Sequence, residues 1–163
     1  MPNFHSPLRY PGGKRKLSNY IKLILKENRL LDGYYAEPYA GGAAVALSLL
    51  FNEYIRRIYI NDIDKSIYTF WNQVLNNTES LCQKIKDTKV TVEEWSRQKQ
   101  IQKVNHPDPL DLAFSTFFLN RTNRSGIISG GIIGGQKQLG CWKLDARFNK
   151  ADLIKRIEKI GRF

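Results

Sequence analysis

Metal-ligating and redox residues are scarce in this 163-residue sequence, which has two cysteines, two histidines and one methionine. Cys82 and Cys141 lie far apart and match no zinc-ligand spacing, and His5 and His106 complete no cluster. A metal centre and a disulfide framework are therefore excluded as organising features. No apolar run is long enough for a membrane span or a secretory leader, so the expectation is a cytoplasmic protein with reduced thiols and no membrane partner. None of the six prolines, at positions 2, 7, 11, 38, 107 and 109, adjoins another. Internal repeats and low-complexity tracts are also absent. Acid is in short supply, with 15 Asp and Glu against 26 Lys and Arg.

The formal net charge is +11 and the sequence pI about 9.7, a balance that suits a polyanionic partner such as nucleic acid. The excess is uneven. Residues 75–113 hold six basic and six acidic side chains, whereas residues 114–163 hold ten basic and three acidic. Arg9, Lys14, Arg15 and Lys16 add charge near the start, where no acid offsets them. Two separated basic segments favour docking surfaces over a uniform coat. With 42% hydrophobic residues, the chain has material for about one ordinary domain.

Residues 7–16 form a basic, turn-rich leading segment. Leu17, Tyr20, Ile21, Ile24, Leu25 and Leu31 recur at helical spacing and predict one apolar helix face, ended by Asp32-Gly33. Tyr34–Glu37 reads as a short strand, residues 43–51 as a helix, residues 57–61 as a second strand and residues 64–75 as a further helix. Strand, helix, strand, helix is the start of a doubly wound α/β sheet. Three helices then fit residues 79–87, 92–104 and 109–120, with Thr78, Thr91 and Asp108 as N-caps. Thr91 with Glu94 has the capping-box spacing, and Asp108 precedes a proline at a first helical position. Residues 120–142 hold six glycines and predict a mobile loop or a hairpin through Ile127-Ile128 and Ile132-Ile133. Asn149 caps a last helix that closes at Gly161.

The chemistry concentrates where the first strand meets its helix. Glu37-Pro38-Tyr39-Ala40-Gly41-Gly42 forms a loop whose glycines let a ligand approach the backbone closely. Asp62, at the end of the second strand, stands where an acid can accept hydrogen bonds from ribose hydroxyls. Neither a dinucleotide fingerprint nor a P-loop is present. Taken alone, Gly41-Gly42 reads as a structural turn, Tyr10 as a core aromatic, Lys14 as one charge in a basic run and Asp62 as a helix cap.

The combination is more specific. Pro7-Leu8-Arg9-Tyr10-Pro11-Gly12-Gly13-Lys14, then the Glu37–Gly42 loop, then Asn61-Asp62, resembles the Dam-type, D12-class family of DNA adenine-N6 methyltransferases. The block Phe118-Leu119-Asn120-Arg121-Thr122-Asn123-Arg124-Ser125-Gly126 is similar to that family's Asn-Arg block, and the likeness covers nearly the whole chain. The resemblance implies an α/β, partial Rossmann-like methyltransferase core with a mainly helical DNA-recognition insertion. It divides the chain into a cofactor-binding part over residues 1–75, an insertion over residues 76–144 and a return to the core over residues 145–163. It implies S-adenosylmethionine as cofactor, held by Tyr10, Lys14, Glu37, Pro38, Tyr39, Gly41, Gly42 and Asp62. Lys14 would pair with the ligand's carboxylate and Glu37 would meet its ammonium group. Double-stranded DNA is the implied substrate, with Arg9, Asn120, Arg121, Arg124, Ser125 and Lys137 as contacts. Among these, Arg121, Arg124 and Lys137 would hold phosphates and Asn120 or an arginine would read base edges. The bland alternative is that Asn120 and Arg121 end a helix and hold the loop together.

One part of the family pattern is missing. An enzyme that methylates adenine must hold the extruded base's exocyclic amine beside the methyl donor. The family does so with Asp-Pro-Pro-Tyr or a close variant, and no such motif occurs in these 163 residues. No catalytic residue is therefore assigned. The expectation is a site-specific adenine-N6 methyltransferase fragment, or one part of a split enzyme, inactive alone. A homodimer or a complementing C-terminal polypeptide would cover the edge of the first strand. The alternative is a non-catalytic DNA-binding or regulatory module that retains a cofactor pocket.

Overall fold

The structure is a computed structural model and describes residues 5–163. The chain forms two compact units. Among the described residues, one comprises residues 5–6 and 12–63, the other residues 7–11 and 64–163.

The first unit is a helix followed by a strand–helix–strand. A short 3-10 turn at Lys14–Leu17 leads into α1 (Ser18–Glu27), followed by β1 (Gly33–Glu37), α2 (Ala44–Phe51) and β2 (Ile55–Ile60). The strands pair in parallel, with Glu37 opposite Ile60 at their C-terminal ends. Parallel neighbours need a crossover, and α2 provides it. Its run of Ala, Val, Leu and Phe is buried on several faces, and Val45 and Leu49 form a core with Ile55. Ile21 and Leu25 of α1 close that core from outside, together with Tyr35, Tyr54 and Ile58.

The apolar face expected from Leu17 to Leu31 is thus shorter than its spacing suggests. Leu17, Tyr20 and Leu31 are exposed. The helix stops at Glu27 because the chain turns back through Arg29 at φ +58°. Leu30 N–H donates to Leu25 O at 2.8 Å and Arg29 N–H to Lys26 O at 3.1 Å. These two bonds make a Schellman ending, here with arginine in the position that glycine usually takes.

The second unit is helical. It contains α3 (Lys65–Asn76), α4 (Thr78–Asp87), α5 (Val92–Ile101), α6 (Pro109–Thr122) and α7 (Lys150–Gly161). Its centre is α6, buried on every side from Leu112 to Thr122. Phe70 of α3 stacks on Phe117 at 6.1 Å, and Phe148 packs against both Phe117 and Phe118 at 5.4 Å. The sequence division counts α3 with the strand-bearing part, but its aromatic face packs within the helical unit. Among the described residues no helix is long and apolar enough to cross a membrane.

Caps place most of these helices. Asp64 accepts from Ser66 N–H, Thr91 from Glu94 N–H, Asp108 from Leu110 and Asp111 N–H, and Asn149 from Asp152 N–H. Two expectations fail in detail. Thr78 is not a cap, because its hydroxyl donates to Val74 O at 2.6 Å, inside the preceding helix. The expected hairpin is reduced to one antiparallel bridge, Asn123 with Ile132. The segment between them coils through a 3-10 turn at Arg124–Gly126 and is bound by side chains instead.

Gly161 shows how closely α7 and α4 approach. A Cβ there would lie 2.4 Å from the Thr78 hydroxyl oxygen. Gly161→Ala should therefore destabilise the second unit by about 1–3 kcal/mol, the usual range for overpacking. Urea denaturation monitored by the tryptophans would measure it, and Thr78→Ala in the same background, which removes the hydroxyl and the methyl, should recover part of the loss.

Candidate functional site

In the first unit the loop after β1 is stitched to the end of β2. Asn61 N–H donates to Glu37 O at 3.1 Å, and Ala40 N–H donates to Asn61 O at 2.9 Å. Gly41 N–H donates to the Asp62 Oδ2 at 2.8 Å. The backbone then passes through positive φ at Gly41 and Ala43 before α2 begins. Ala43 occupies the N-cap position but has no side chain to serve as a cap.

Glu37 fills that role. Its carboxylate is only 4% exposed, and Oε2 accepts from Ala46 N–H, an otherwise unpaired amide of the first turn of α2, at 3.3 Å. A negative charge at that end of a helix is favourable. The other oxygen pairs with the Lys14 ammonium at 2.9 Å, and Lys14 also donates to Tyr39 O at 3.0 Å. Lys14 and Glu37, which the resemblance assigns to opposite charges of one ligand, here neutralise each other. Asp62 is half-buried, Gly41 and Gly42 are buried, and Pro38 and Tyr39 are exposed. Tyr10, expected beside the ligand, is partly exposed and belongs to the second unit.

These residues suit an adenosine-type ligand that carries an amino acid. Asp62 gives Oδ2 to Gly41, but a carboxylate has about four acceptor sites, enough to serve ribose hydroxyls as well. Glu37 and Lys14 place one charge of each sign at the mouth of the same loop. No group of His, Cys, Asp or Glu among the described residues could hold a metal ion. Cys82 is no nucleophile, since burial and the neighbouring Glu158 push its thiol up to about 11.

In the second unit the end of α6 and the loop beyond it hold the predicted DNA contacts. Asn120 is 1% exposed. Its Oδ1 accepts from Arg9 N–H at 2.7 Å, and its Nδ2 donates to Arg9 O and Gly126 O, both at 2.8 Å. All of its visible bonding is spent on backbone, which clamps the leading segment to the loop. Gly126 is required there, because at its φ of +76° a Cβ would lie 2.2 Å from Arg9 O.

The glycine-rich loop, read from sequence as mobile or a hairpin, is tied down by three side chains to which the sequence assigns no role there. Asn123 donates to Ile127 O and Ile128 O and accepts from Trp95 Nε1–H. Lys99 donates to the carbonyls of Ile128, Ser129 and Gly130. Gln138 donates to Ile133 O and Gly135 O and accepts from Leu144 N–H. Such amides are silent in a pattern search, since their partners are backbone atoms. Arg124, Ser125 and Lys137 are exposed on this loop, and Ser125 has φ +57°. Arg121, unlike Arg124, Ser125 and Lys137, is only 8% exposed.

The chain matches the family described as D12 class N6 adenine-specific DNA methyltransferase over residues 10–162. It belongs to that family. The match spans both units, from the leading segment through α7 of this D12-class chain. No curated protein matches it.

Two substitutions test the geometry. Lys14→Met would leave the buried Glu37 carboxylate with one partner fewer, a loss of about 1–3 kcal/mol. Water can partly replace the half-exposed ammonium, so the measured loss in urea denaturation should fall at the lower end. Asn120→Ala would strip partners from three backbone groups and should lower stability by at least about 2 kcal/mol. It should also increase amide hydrogen exchange at Arg9.

Proposed function

We propose that this D12-class chain binds S-adenosylmethionine at the C-terminal ends of β1 and β2 and binds duplex DNA through its second unit. The cofactor, when bound, supplies the methyl group. In this reading Asp62 accepts from the ribose hydroxyls and Glu37 faces the ligand's ammonium group. Lys14 moves from Glu37 to the ligand's carboxylate, and Pro38, Tyr39, Gly41 and Gly42 form the floor. The observation that carries the reading is the Asp62 carboxylate held at 2.8 Å on the Gly41 amide. That bond fixes an acid and a glycine loop together at the ends of neighbouring parallel strands, where open α/β sheets place their ligands.

Arg9, Arg121, Arg124, Ser125 and Lys137 supply the DNA-facing groups. Arg124, Ser125 and Lys137 are accessible to phosphates as they stand. Asn120 acts on DNA only indirectly, by holding Arg9 and the loop.

The same 163 residues contain no Asp-Pro-Pro-Tyr or equivalent to hold the adenine amine. They are proposed to lack methyl transfer alone and to work with a second polypeptide or a second copy. Among the described residues β1 pairs only with β2, and its other edge would accept a further strand. A non-catalytic DNA-binding module with a cofactor pocket shares every one of these features except the complementing partner.

Calorimetry with S-adenosylmethionine should show binding to the wild type and a loss of at least about tenfold in Asp62→Ala, the weight of one good charge-assisted hydrogen bond. Unchanged affinity rejects this pocket. Labelled methyl transfer to adenine-containing duplex DNA should be absent for the chain alone. It should appear on adding a polypeptide that carries the missing motif, and continued absence favours the non-catalytic module.

A further inference from the structure

The end of α6 carries a buried positive charge that the protein partners incompletely. Arg121 is 8% exposed, and its Nε is sealed from solvent with no hydrogen-bond partner among the described residues. Buried guanidinium groups are ordinarily paired, because desolvating a charge is costly. Here the surroundings add to the problem. Three further arginines act on Arg121, namely Arg156, Arg9 and Arg147, and a single acid, Asp152, opposes them. Asp152 is itself engaged by Arg156 at 2.6 Å.

Four separate segments bring these groups together, all within the second unit. Asn120 clamps the backbone of Arg9 immediately beside Arg121. Phe117 and Phe118 lie one turn before Arg121 on the same helix face, and Phe148 packs on both, which brings the preceding Arg147 to that end of α6. Arg156 comes from α7. Burial, then Arg156 and the other arginines, lowers the Arg121 guanidinium to about 9, so it still carries its charge at neutral pH. Burial and Arg147 lower Arg9 as well. Exposure falls along the cluster, from Arg147 at the surface through half-buried Arg9 and Arg156 to Arg121 at the bottom.

We propose that Arg9, Arg121, Arg147 and Arg156 form an oxyanion pocket that takes one backbone phosphate of duplex DNA. The assignment rests on the reading that this chain engages DNA. Guanidinium forks suit the non-bridging oxygens of a phosphodiester, and the exposed Arg147, which lies 5.7 Å over the Trp142 ring, would meet a group carried on a strand first. A carboxylate from another polypeptide is the competing occupant. The pocket differs from the exposed contacts at Arg124 and Lys137 because its charge is desolvated before DNA arrives.

The test uses the 163-residue chain and a fluorescein-labelled duplex, with affinity read by anisotropy across a salt series. Arg147→Gln/Arg156→Gln alters only exposed or half-buried side chains. It should weaken binding by at least about tenfold and reduce the slope of log K against log salt by about one, the loss of a single phosphate contact. Arg121→Met should weaken binding similarly yet raise Tm in phosphate-free buffer, since it removes an unpaired buried charge. An arginine with a merely structural role would instead lower Tm. Inorganic phosphate should raise the wild-type Tm and leave both variants unmoved. Wild-type affinity and slope in both variants overturn the pocket while leaving the DNA reading intact. A wild type that binds no duplex at any salt overturns the DNA reading and this assignment with it. A rise in Tm with a hexa-aspartate peptide but not with phosphate overturns the phosphate in favour of a carboxylate.

Discussion

The carboxamide of Asn120 is sealed from water, so its hydrogen bonds must be made within the protein or forfeited at full cost. It makes three, to both backbone groups of Arg9 and to the carbonyl of Gly126. The first two hold residues 7–11 on the helical unit as if they were a strand with one side-chain partner. The third turns the chain at the end of α6, where Gly126 must lack a Cβ to come so close to Arg9. Position matters as much as number. Asn120 stands one residue before Arg121, so the clamp also fixes where the Arg9 guanidinium is delivered. A single amide thus sets the leading segment, the loop and the charge cluster.

Glu37 obeys the same constraint in the first unit with opposite chemistry. It is charged, nearly buried and placed where α2 begins without a capping side chain. Its two oxygens divide between the helix amide of Ala46 and the ammonium of Lys14. Lys14 in turn reaches Tyr39 O, so the ion pair closes the loop over its own base. In the proposed reading the loop is held in place before a ligand arrives, because Gly41 and Ala40 already donate to Asp62 and Asn61. A ligand ammonium or carboxylate must displace one half of an existing pair. Such an exchange favours a zwitterionic ligand, which can replace both halves, over one with a single charge.

Elements set by local rules were legible in the sequence. Asp108 with Pro109, Thr91 with Glu94, and Asn149 each start a helix where their capping chemistry requires it. The first strand follows from Tyr34-Tyr35 after a turn, the second from its isoleucines and Tyr59, and α2 from a run of small and branched apolar residues. The shared placement of Glu37 and Asp62 followed from spacing, since parallel strands bring both to the same end regardless of tertiary detail. What could not be read depended on partners distant in sequence. Leu31 has helical spacing from Ile24, but Arg29 had already reversed the chain. The glycine-rich loop looked mobile because the bonds of Lys99, Asn123 and Gln138 to its carbonyls leave no periodic trace. Arg147 and Arg156 look like ordinary surface charges until Phe148 and α7 carry them to Arg121.

The contrast between Asn120 and Arg121 separates the two kinds of demand on this fold. Adjacent residues share one buried helix end, yet the neutral amide is fully partnered and the guanidinium is not. If burial at that point served packing alone, an apolar side chain of similar volume would serve better, because it would carry no charge to desolvate. Three neighbouring arginines make the position worse for stability. Each makes it better for holding an anion, since Asp152, already engaged by Arg156, offsets only part of the repulsion within the cluster. The free protein therefore bears a cost that binding removes, and that relief adds to the affinity for whatever anion completes the cluster. In a family that acts on DNA, the group that meets this description on every nucleotide is the phosphate.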